Sequence, residues 1–218
     1  MQRRMYPEAE QLFRRSLDVR RALAHTAGIA ASLANLGAIV MMQGNNALAQ
    51  VSYAESLALY RRVSDPSNIA LVLARMANLL LAQGAYAKAE QLFEESHGIA
   101  AELLNRQGIW QALHGLGTIA REQGRYAEAH ARFRQSSAVA LEIQYLSGLA
   151  LDLLELAQIT WATQPGEHTA ILLAAVTAIM HGGQITFHHS DQTERDRLVE
   201  EVRAMLEPHL FAAAWAYG

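Results

Sequence analysis

Histidines are the residues of this sequence best suited to bind a transition metal. His181, His188 and His189 lie close together in the C-terminal part of the chain, and neutral imidazole is a common metal ligand. A metal site also needs groups that orient its ligands, and adjacent histidines between helices are more often solvated, so we expect none here. The sequence has no cysteine and no glycine-rich phosphate loop with a following lysine. Thiolate zinc sites and that class of nucleotide site are therefore excluded.

Serines are the candidate nucleophiles, and four of them recur at an interval of forty residues. A catalytic serine is activated by one base at one site, whereas four equivalent serines indicate a shared structural role at a close helix contact. The acid pairs Glu94-Glu95 and Glu200-Glu201 are interpreted as solvated helix surface, because a general acid and base need a pocket that separates their pKa values. We predict no cofactor and no enzymatic activity. The four serines are Ser16, Ser56, Ser96 and Ser136.

The interval of forty residues recurs in several independent columns, so the chain is built from repeats. Apolar residues from Ala30 to Met41 recur at intervals of three and four, which predicts a helix. The glycine after Gln43 lets that helix end, and the segment from Ser64 to Ser67 predicts the turn that ends a second helix. Each unit is therefore a hairpin of a helix A and a helix B. The supporting columns are Ala9, Ala49, Ala89 and Ala129; Phe13, Tyr53, Phe93 and Phe133; and Gln43-Gly44, Gln83-Gly84 and Gln123-Gly124.

Three segments of the repeat resemble the tetratricopeptide repeat: NLGAIVMMQGNNALAQVSYAES, RMANLLLAQGAYAKAEQLFEES and GLGTIAREQGRYAEAHARFRQS. They have its small residue in helix A, its glycine near the turn, and its alanine, aromatic and small residues in helix B. Their repeat is longer than the usual length of about 34 residues. The resemblance implies an all-α fold, a right-handed α-α superhelix of helical hairpins with a C-terminal helical cap. We expect one domain over residues 1–218, with a half repeat at 6–25, hairpins at 28–64, 68–104, 108–144 and 147–181, and capping helices at 191–217.

The N-terminal end of the sequence departs from the repeat, because the helix B at residues 6–25 has no helix A before it. A helix B without its partner is expected to expose Leu12, Phe13 and Leu17. Either another copy of the chain covers this face, or the chain is a piece of a longer protein.

The C-terminal end departs from the repeat as well. Asp191 and Glu194 have the spacing of a capping box, which predicts a helix that begins at Asp191 and ends at Leu206. Pro208 suits the first turn of a last short helix that ends at Tyr217. The segments AILLAAVTAIM and ERDRLVEEVRAMLEPHLFAAAWAYG look like the end of the repeat region in large bacterial signal-transduction ATPases and LuxR-type transcriptional regulators. Nothing here resembles their ATPase or DNA-binding domains, so the resemblance implies only the fold and role of their sensor region.

Helix A lines the ligand groove of tetratricopeptide arrays, so the resemblance implies a concave groove formed by the inward positions of that helix. Asparagine and glutamine pair with peptide groups and arginine adds charge, which favours a protein or peptide ligand. The same side chains would also suit an ordinary solvated surface. Trp161 fits either a ligand anchor or packing against the cap, whereas Trp110 is expected in the core. The predicted groove residues are Asn35, Arg75, Asn78, Gln111, His114, Arg121, Glu155, Gln158 and Trp161.

Composition and charge restrict the partners. A net charge of −3 provides no dense basic face for nucleic acid, no apolar run is long enough to span a bilayer, and a chain without cysteine fits the cytoplasm. We predict a non-catalytic module that binds a protein or peptide within a bacterial transcriptional or signalling regulator. Two alternatives stay open. One is a small-molecule sensor, which an enclosed apolar volume around Trp161 would favour, and the other is a structural module that forms a homodimer through the N-terminal half repeat.

Overall fold

A computed structural model describes residues 6–217 of the 218-residue chain. These residues form α-helices joined by short turns, and there is no strand among them. In the predicted scheme, α2, α4, α6 and α8 are A helices, and α1, α3, α5, α7 and α9 are B helices. The helices are α1 (Tyr6–Ala22), α2 (Thr26–Met42), α3 (Asn46–Arg62), α4 (Pro66–Ala82), α5 (Tyr86–Glu102), α6 (Arg106–Glu122), α7 (Tyr126–Glu142), α8 (Leu146–Thr163), α9 (Glu167–Gly182), α10 (His189–Met205) and α11 (Pro208–Tyr217).

The hairpins begin one or two residues before the predicted positions. Side-chain caps explain three of the helix starts, because a cap accepts a hydrogen bond from a backbone N–H group that has no partner in the first turn. One of them is the Asn105 Oδ1 atom, which accepts from the Gly108 N–H group at 3.1 Å before α6. The Asn45 Oδ1 atom accepts from the Leu48 N–H group at 3.2 Å before α3, and the Asp65 Oδ1 atom accepts from the Asn68 N–H group at 3.1 Å before α4.

The turns are of two types, which differ in the residue that adopts the left-handed conformation. The first three turns from helix A to helix B use a glycine, as at Gly44 with a φ of 85°. Turns from helix B to the next helix A use other residues, as at Leu104 with a φ of 52°. A left-handed L residue costs about 1–2 kcal/mol, so the second type of turn is strained. The residues of the first type are Gly44, Gly84 and Gly124, and those of the second are Ala24, Ser64, Leu104 and Gln144; Gln184, between α9 and α10, has the same left-handed conformation.

The helices form two compact units, residues 1–108 and 109–218, so a single domain over the whole chain stays a prediction. Both units bury the aromatic residue of helix B against a glycine of helix A. In the first unit, a Cβ atom added at Gly37 would lie 2.7 Å from the Tyr53 ring, and in the second, one added at Gly117 would lie 2.9 Å from the Phe133 ring. Only glycine allows these rings to approach so closely.

The repeated serines have the structural role that the sequence predicts. In three copies the side chain is buried, and its hydroxyl donates a hydrogen bond to a helix A carbonyl 26 residues earlier in the chain. This bond ties helix B to helix A within each hairpin. The bonds run from Ser56 to Ala30 (2.8 Å), from Ser96 to Ala70 (2.9 Å) and from Ser136 to Trp110 (3.4 Å).

The N-terminal helix α1 packs on α2 more completely than the sequence predicts. Leu17 is buried and Phe13 is half-buried against the core of the first unit, so the expectation that both are exposed is wrong for Leu17 and only partly right for Phe13. The physical reason is that α1 packs on the following helix A through this side, as any helix B does. Leu12 is exposed as expected.

The C-terminal unit ends in three helices that share one core. Leu198 and Val202 of α10 are fully buried with Leu173 of α9 and with Ala214 of α11. The predicted capping box at Asp191 is wrong, because α10 begins at His189 and no side chain caps it.

Glu194, the other residue of the predicted capping box, pairs with an arginine of α10 instead. It accepts hydrogen bonds from Arg197 one turn further along α10. Asp191 instead lies in the first turn of α10, where a carboxylate is favoured by the helix dipole.

Candidate functional site

The predicted groove residues of the first unit lie on the A helices α2 and α4. Asn35, Arg75 and Asn78 are all half-buried. The Arg75 Nη1 atom donates to the Ala34 carbonyl at 3.1 Å and lies 3.4 Å from the Asn35 Oδ1 atom. Arg75 therefore joins the A helices α2 and α4, and this structural contact uses part of the hydrogen-bonding capacity of its guanidinium group.

In the second unit, a buried hydrogen-bonded network joins α6 to α8. The Asp152 carboxylate is fully buried, accepts a hydrogen bond from Trp110 Nε1 at 2.9 Å and lies 2.7 Å from His114 Nδ1. The His114 ring stacks on Trp110, with ring centres 5.2 Å apart, and meets the edge of Phe133. Trp110 is buried as the sequence predicts, while the predicted groove residue His114 is held by internal partners.

The charge of Asp152 determines how His114 titrates. Burial of the ring by itself would lower the pKa of His114, but the hydrogen bond to Asp152 and the negative charges of Asp152, Glu155 and Asp191 outweigh it. The pKa of His114 is therefore raised above its ordinary value. A buried carboxylate is stabilised by a nearby positive charge, so Asp152 pairs best with the protonated form of His114.

Asp152 is a residue of this network that the sequence interpretation missed. Its column in the repeat holds Ser32, Val72 and Ala112, which are buried and uncharged. A single carboxylate in such a column is a signal that the column comparison could have found. Trp110 and His114 depart from their own columns in the same way, since alanine occupies both positions in the first two hairpins.

Arg121 and Glu155 form an ion pair across α6 and α8. The Arg121 Nε atom and the Glu155 Oε2 atom are 2.6 Å apart. Burial raises the pKa of Glu155, and the charges of Arg121 and His114 oppose this only in part. The Arg121 Nη2 atom also donates to Glu122 at 2.8 Å.

A half-open pocket lies beside this pair, between α6, α8 and α10. It measures about 390 Å³, within the range of about 300–1,000 Å³ that is common for ligand pockets. Leucines of α8 form its apolar side, and carboxylates of α8 and α10 form its polar side. Its lining residues are Arg121, Leu151, Leu154, Glu155, Gln158, Ser190, Asp191 and Glu194.

Gln158 and Trp161 continue this surface along α8. A second half-open pocket of about 210 Å³ shares Arg121, Gln158 and Glu194 with the first and adds Trp161 and Arg197. The other side of Trp161 borders a shallow apolar hollow that reaches Pro165 and Met205. Four of the predicted groove residues, Arg121, Glu155, Gln158 and Trp161, are thus brought together, whereas Gln111 is half-buried on α6 outside these pockets.

The described residues also bear on the predicted metal and membrane partners. No group of three or more histidine, aspartate or glutamate side chains is placed there to hold a metal ion; the side chain of His189 lies outside the described residues. None of the helices over residues 6–217 has both the length and the apolar character needed to cross a bilayer.

The repeated hairpins and their glycine-aromatic contacts define a helical-repeat class of protein, and comparison with known families agrees. Residues 29–70 match one sequence profile of the tetratricopeptide repeat and residues 68–142 match a second. Together they span residues 29–142, which is 114 of the 218 residues. The chain belongs to the tetratricopeptide-repeat family, a class of protein-interaction module. No curated protein matches the sequence.

Solved structures that resemble the chain confirm the all-α helical-repeat fold. BtubC (BKLC) from P. vanneervenii has a TM-score of 0.74 and 14% sequence identity, covering 97% of this chain and 86% of its own. A putative kinesin light chain with nearly identical TPR-like repeats from Podosopora anserina has a TM-score of 0.64 and 19% identity, covering 85% of this chain and 92% of its own. Aspartyl phosphate phosphatase F from Bacillus subtilis has a TM-score of 0.79 and 12% identity, covering 95% of this chain and 54% of its own. At these identities the likeness shows the fold alone.

Proposed function

We propose that this protein is a non-catalytic interaction module and that the A-helix surface of its second unit binds a peptide segment of a protein partner. The observation that carries the proposal is the pair of adjoining half-open pockets along α8, which share Arg121 and Gln158. Gln158 offers an amide that can pair with a peptide backbone, and Trp161 offers a large apolar face.

The shape of the surface favours a peptide over a small effector. A small-molecule sensor would enclose its ligand in a largely apolar cavity. The pockets beside Trp161 are half-open or shallow, and the two half-open ones along α8 carry several charged side chains. An extended segment can occupy such a surface and leave one side in solvent.

We further propose that the module serves as the sensor part of a bacterial transcriptional or signalling regulator in the cytoplasm. The support is the resemblance of the segments AILLAAVTAIM and ERDRLVEEVRAMLEPHLFAAAWAYG to the end of the repeat region in such regulators. In this arrangement the module binds the peptide partner and reports that binding to the regulator.

A random 12-residue peptide display library, selected on the full chain, tests the peptide-binding proposal. The wild-type protein should enrich a family of related sequences. Gln158→Ala and Trp161→Ala should each weaken binding of an enriched peptide by about tenfold, which corresponds to about 1.4 kcal/mol. Arg134→Ala is the matched control, because Arg134 is exposed on α7 away from the pockets.

Two outcomes would contradict the proposal. One is the absence of any enriched family on a protein that circular dichroism shows to be folded. The other is an enriched peptide whose affinity is the same for the Gln158 and Trp161 variants as for the wild type.

A further inference from the structure

We propose that the partner peptide places a basic side chain in the larger α8 pocket, and that this side chain binds in competition with the proton on His114. The larger α8 pocket is the half-open one of about 390 Å³ between α6, α8 and α10. Both features concern the site proposed above, so they rest on the proposed peptide-binding function. They specify the charge of one peptide residue and the way in which pH regulates its binding.

The side chains around the larger α8 pocket carry an excess of negative charge. Each of the two arginines beside it is shared between two carboxylates, so neither arginine neutralises its surroundings. Asp191, which also lines the pocket, accepts a hydrogen bond from the uncharged Ser190 hydroxyl at 3.1 Å. A cleft with this charge attracts cations. The shared contacts are those of Arg121 with Glu122 and Glu155, and those of Arg197 with Glu194 and Glu201.

The two sides of the pocket suit the two parts of a lysine or arginine side chain. Leu151 and Leu154 give it an apolar side, and Glu155, Asp191 and Glu194 give it an acidic one. Lysine and arginine bury their apolar stems along such a surface and keep the charged group among polar partners. A basic side chain therefore matches this pocket better than an apolar or an acidic one.

His114 is a titratable group that responds to the same carboxylates. The ring contacts Trp110 of its own helix α6 and Phe133 of α7, and neither of these side chains is charged. Its Nδ1 atom lies 2.7 Å from a carboxylate oxygen of Asp152 on α8. The charged groups that act on the ring come from α8 and α10, and they are Asp152, Glu155 and Asp191.

Glu155 and Asp191 couple the pocket to His114, because they line the pocket and also act on the ring. Burial of the ring would lower the pKa of His114, but the hydrogen bond to Asp152 and the charges of the three carboxylates outweigh it and raise the pKa. A peptide cation beside Glu155 and Asp191 repels the imidazolium and offsets part of the negative charge that holds its proton. Binding therefore lowers the pKa of His114. Because such coupling is reciprocal, the peptide binds more tightly as the pH rises and His114 loses its proton.

Selection of the random 12-residue display library on the full chain at about pH 8.5 tests the charge of the ligand, since His114 is then least protonated. The enriched family should share a lysine or arginine at one position. Replacement of that residue by glutamine in a synthetic peptide should weaken binding about tenfold. An enriched family without a shared basic residue would overturn this inference and leave the proposed function standing, whereas the absence of any enriched family would contradict both.

Fluorescence anisotropy of a labelled enriched peptide from about pH 6 to about pH 9 tests the coupling. The affinity for the wild-type protein should rise about fivefold over this range. His114→Gln should remove the rise, and Asp152→Asn, which keeps the imidazole but weakens its hold on the proton, should move the rise to lower pH. His168→Gln is the matched control, since His168 is exposed on α9 outside the α8 pockets, and it should keep the wild-type profile.

Three results would overturn the coupling. They are a wild-type affinity that is constant with pH, an affinity that falls as the pH rises, and a rise that persists unchanged in the His114→Gln variant. If that variant does not fold, NMR titration of the His114 ring in the wild-type protein gives an independent test. The pKa of His114 should be lower with the enriched peptide bound than without it, and equal values would refute the competition.

Discussion

Asp152→Asn tests whether the buried carboxylate between α6 and α8 is ion-paired with His114. Asp152 is fully buried and contacts Trp110 Nε1 at 2.9 Å and His114 Nδ1 at 2.7 Å. Asparagine keeps the size of the side chain and one acceptor oxygen but removes the charge. The expected loss is that of a hydrogen bond to a charged group, about 1.5–3 kcal/mol of the free energy of unfolding.

The loss should depend on pH in a defined direction. Because the pKa of His114 is raised in the folded protein, the pairing contributes its full stability below the unfolded-state value of about 6.5 and loses it as the pH rises through the folded-state value. Urea denaturation of both proteins from about pH 6 to about pH 9 measures this. The difference between wild type and variant should be largest at low pH and shrink as the pH rises. Equal stability at low pH, or a difference that is constant with pH, would refute the ion pair.

Three further predictions concern packing, turns and helix contacts, and urea denaturation checks each. Gly117→Ala should lower the free energy of unfolding by about 1–3 kcal/mol, because the added Cβ atom would meet the Phe133 ring. Gly98→Ala is the control: its Cβ atom would lie in open space, so it should raise the free energy of unfolding by about 0.5–1 kcal/mol. Equal effects of the two substitutions would contradict the packing. Leu104→Gly should stabilise by about 0.5 kcal/mol, since relief of a left-handed L residue exceeds the added unfolded-state entropy, and a loss of stability would argue against the strained turn. Arg75→Ala should lower stability by about 1 kcal/mol, because it removes the bond to α2, and an unchanged value would leave Arg75 free for a ligand.

The hairpins could be predicted from the sequence because their determinants are local and repeated four times. Gln43 and Gly44 by themselves indicate that a helix ends there. The same pair of residues recurs at intervals of forty residues, which identifies it as the turn of a repeated hairpin. The close approach of Tyr53 to Gly37 follows from the same columns, since a small residue and an aromatic one recur together in the first three hairpins.

The contacts that depart from the repeat could not be predicted in the same way. The network of Asp152 with Trp110 and His114 joins residues about forty positions apart, and none of the other hairpins contains its members. The start of α10 also differs from the predicted one, because the charge of Asp191 suits both a cap and a first turn. The arrangement of Arg121 beside Glu155 and Gln158 depends on tertiary packing that repeat columns do not contain.

Amide hydrogen exchange of the full chain with and without a display-selected peptide is the most direct test of the proposed binding surface. The account predicts that the peptide slows exchange in α8 between residues 151 and 161 and in the first turns of α10, which border the pockets. Slower exchange confined to the B helices or to α1, with α8 and α10 unchanged, would contradict it.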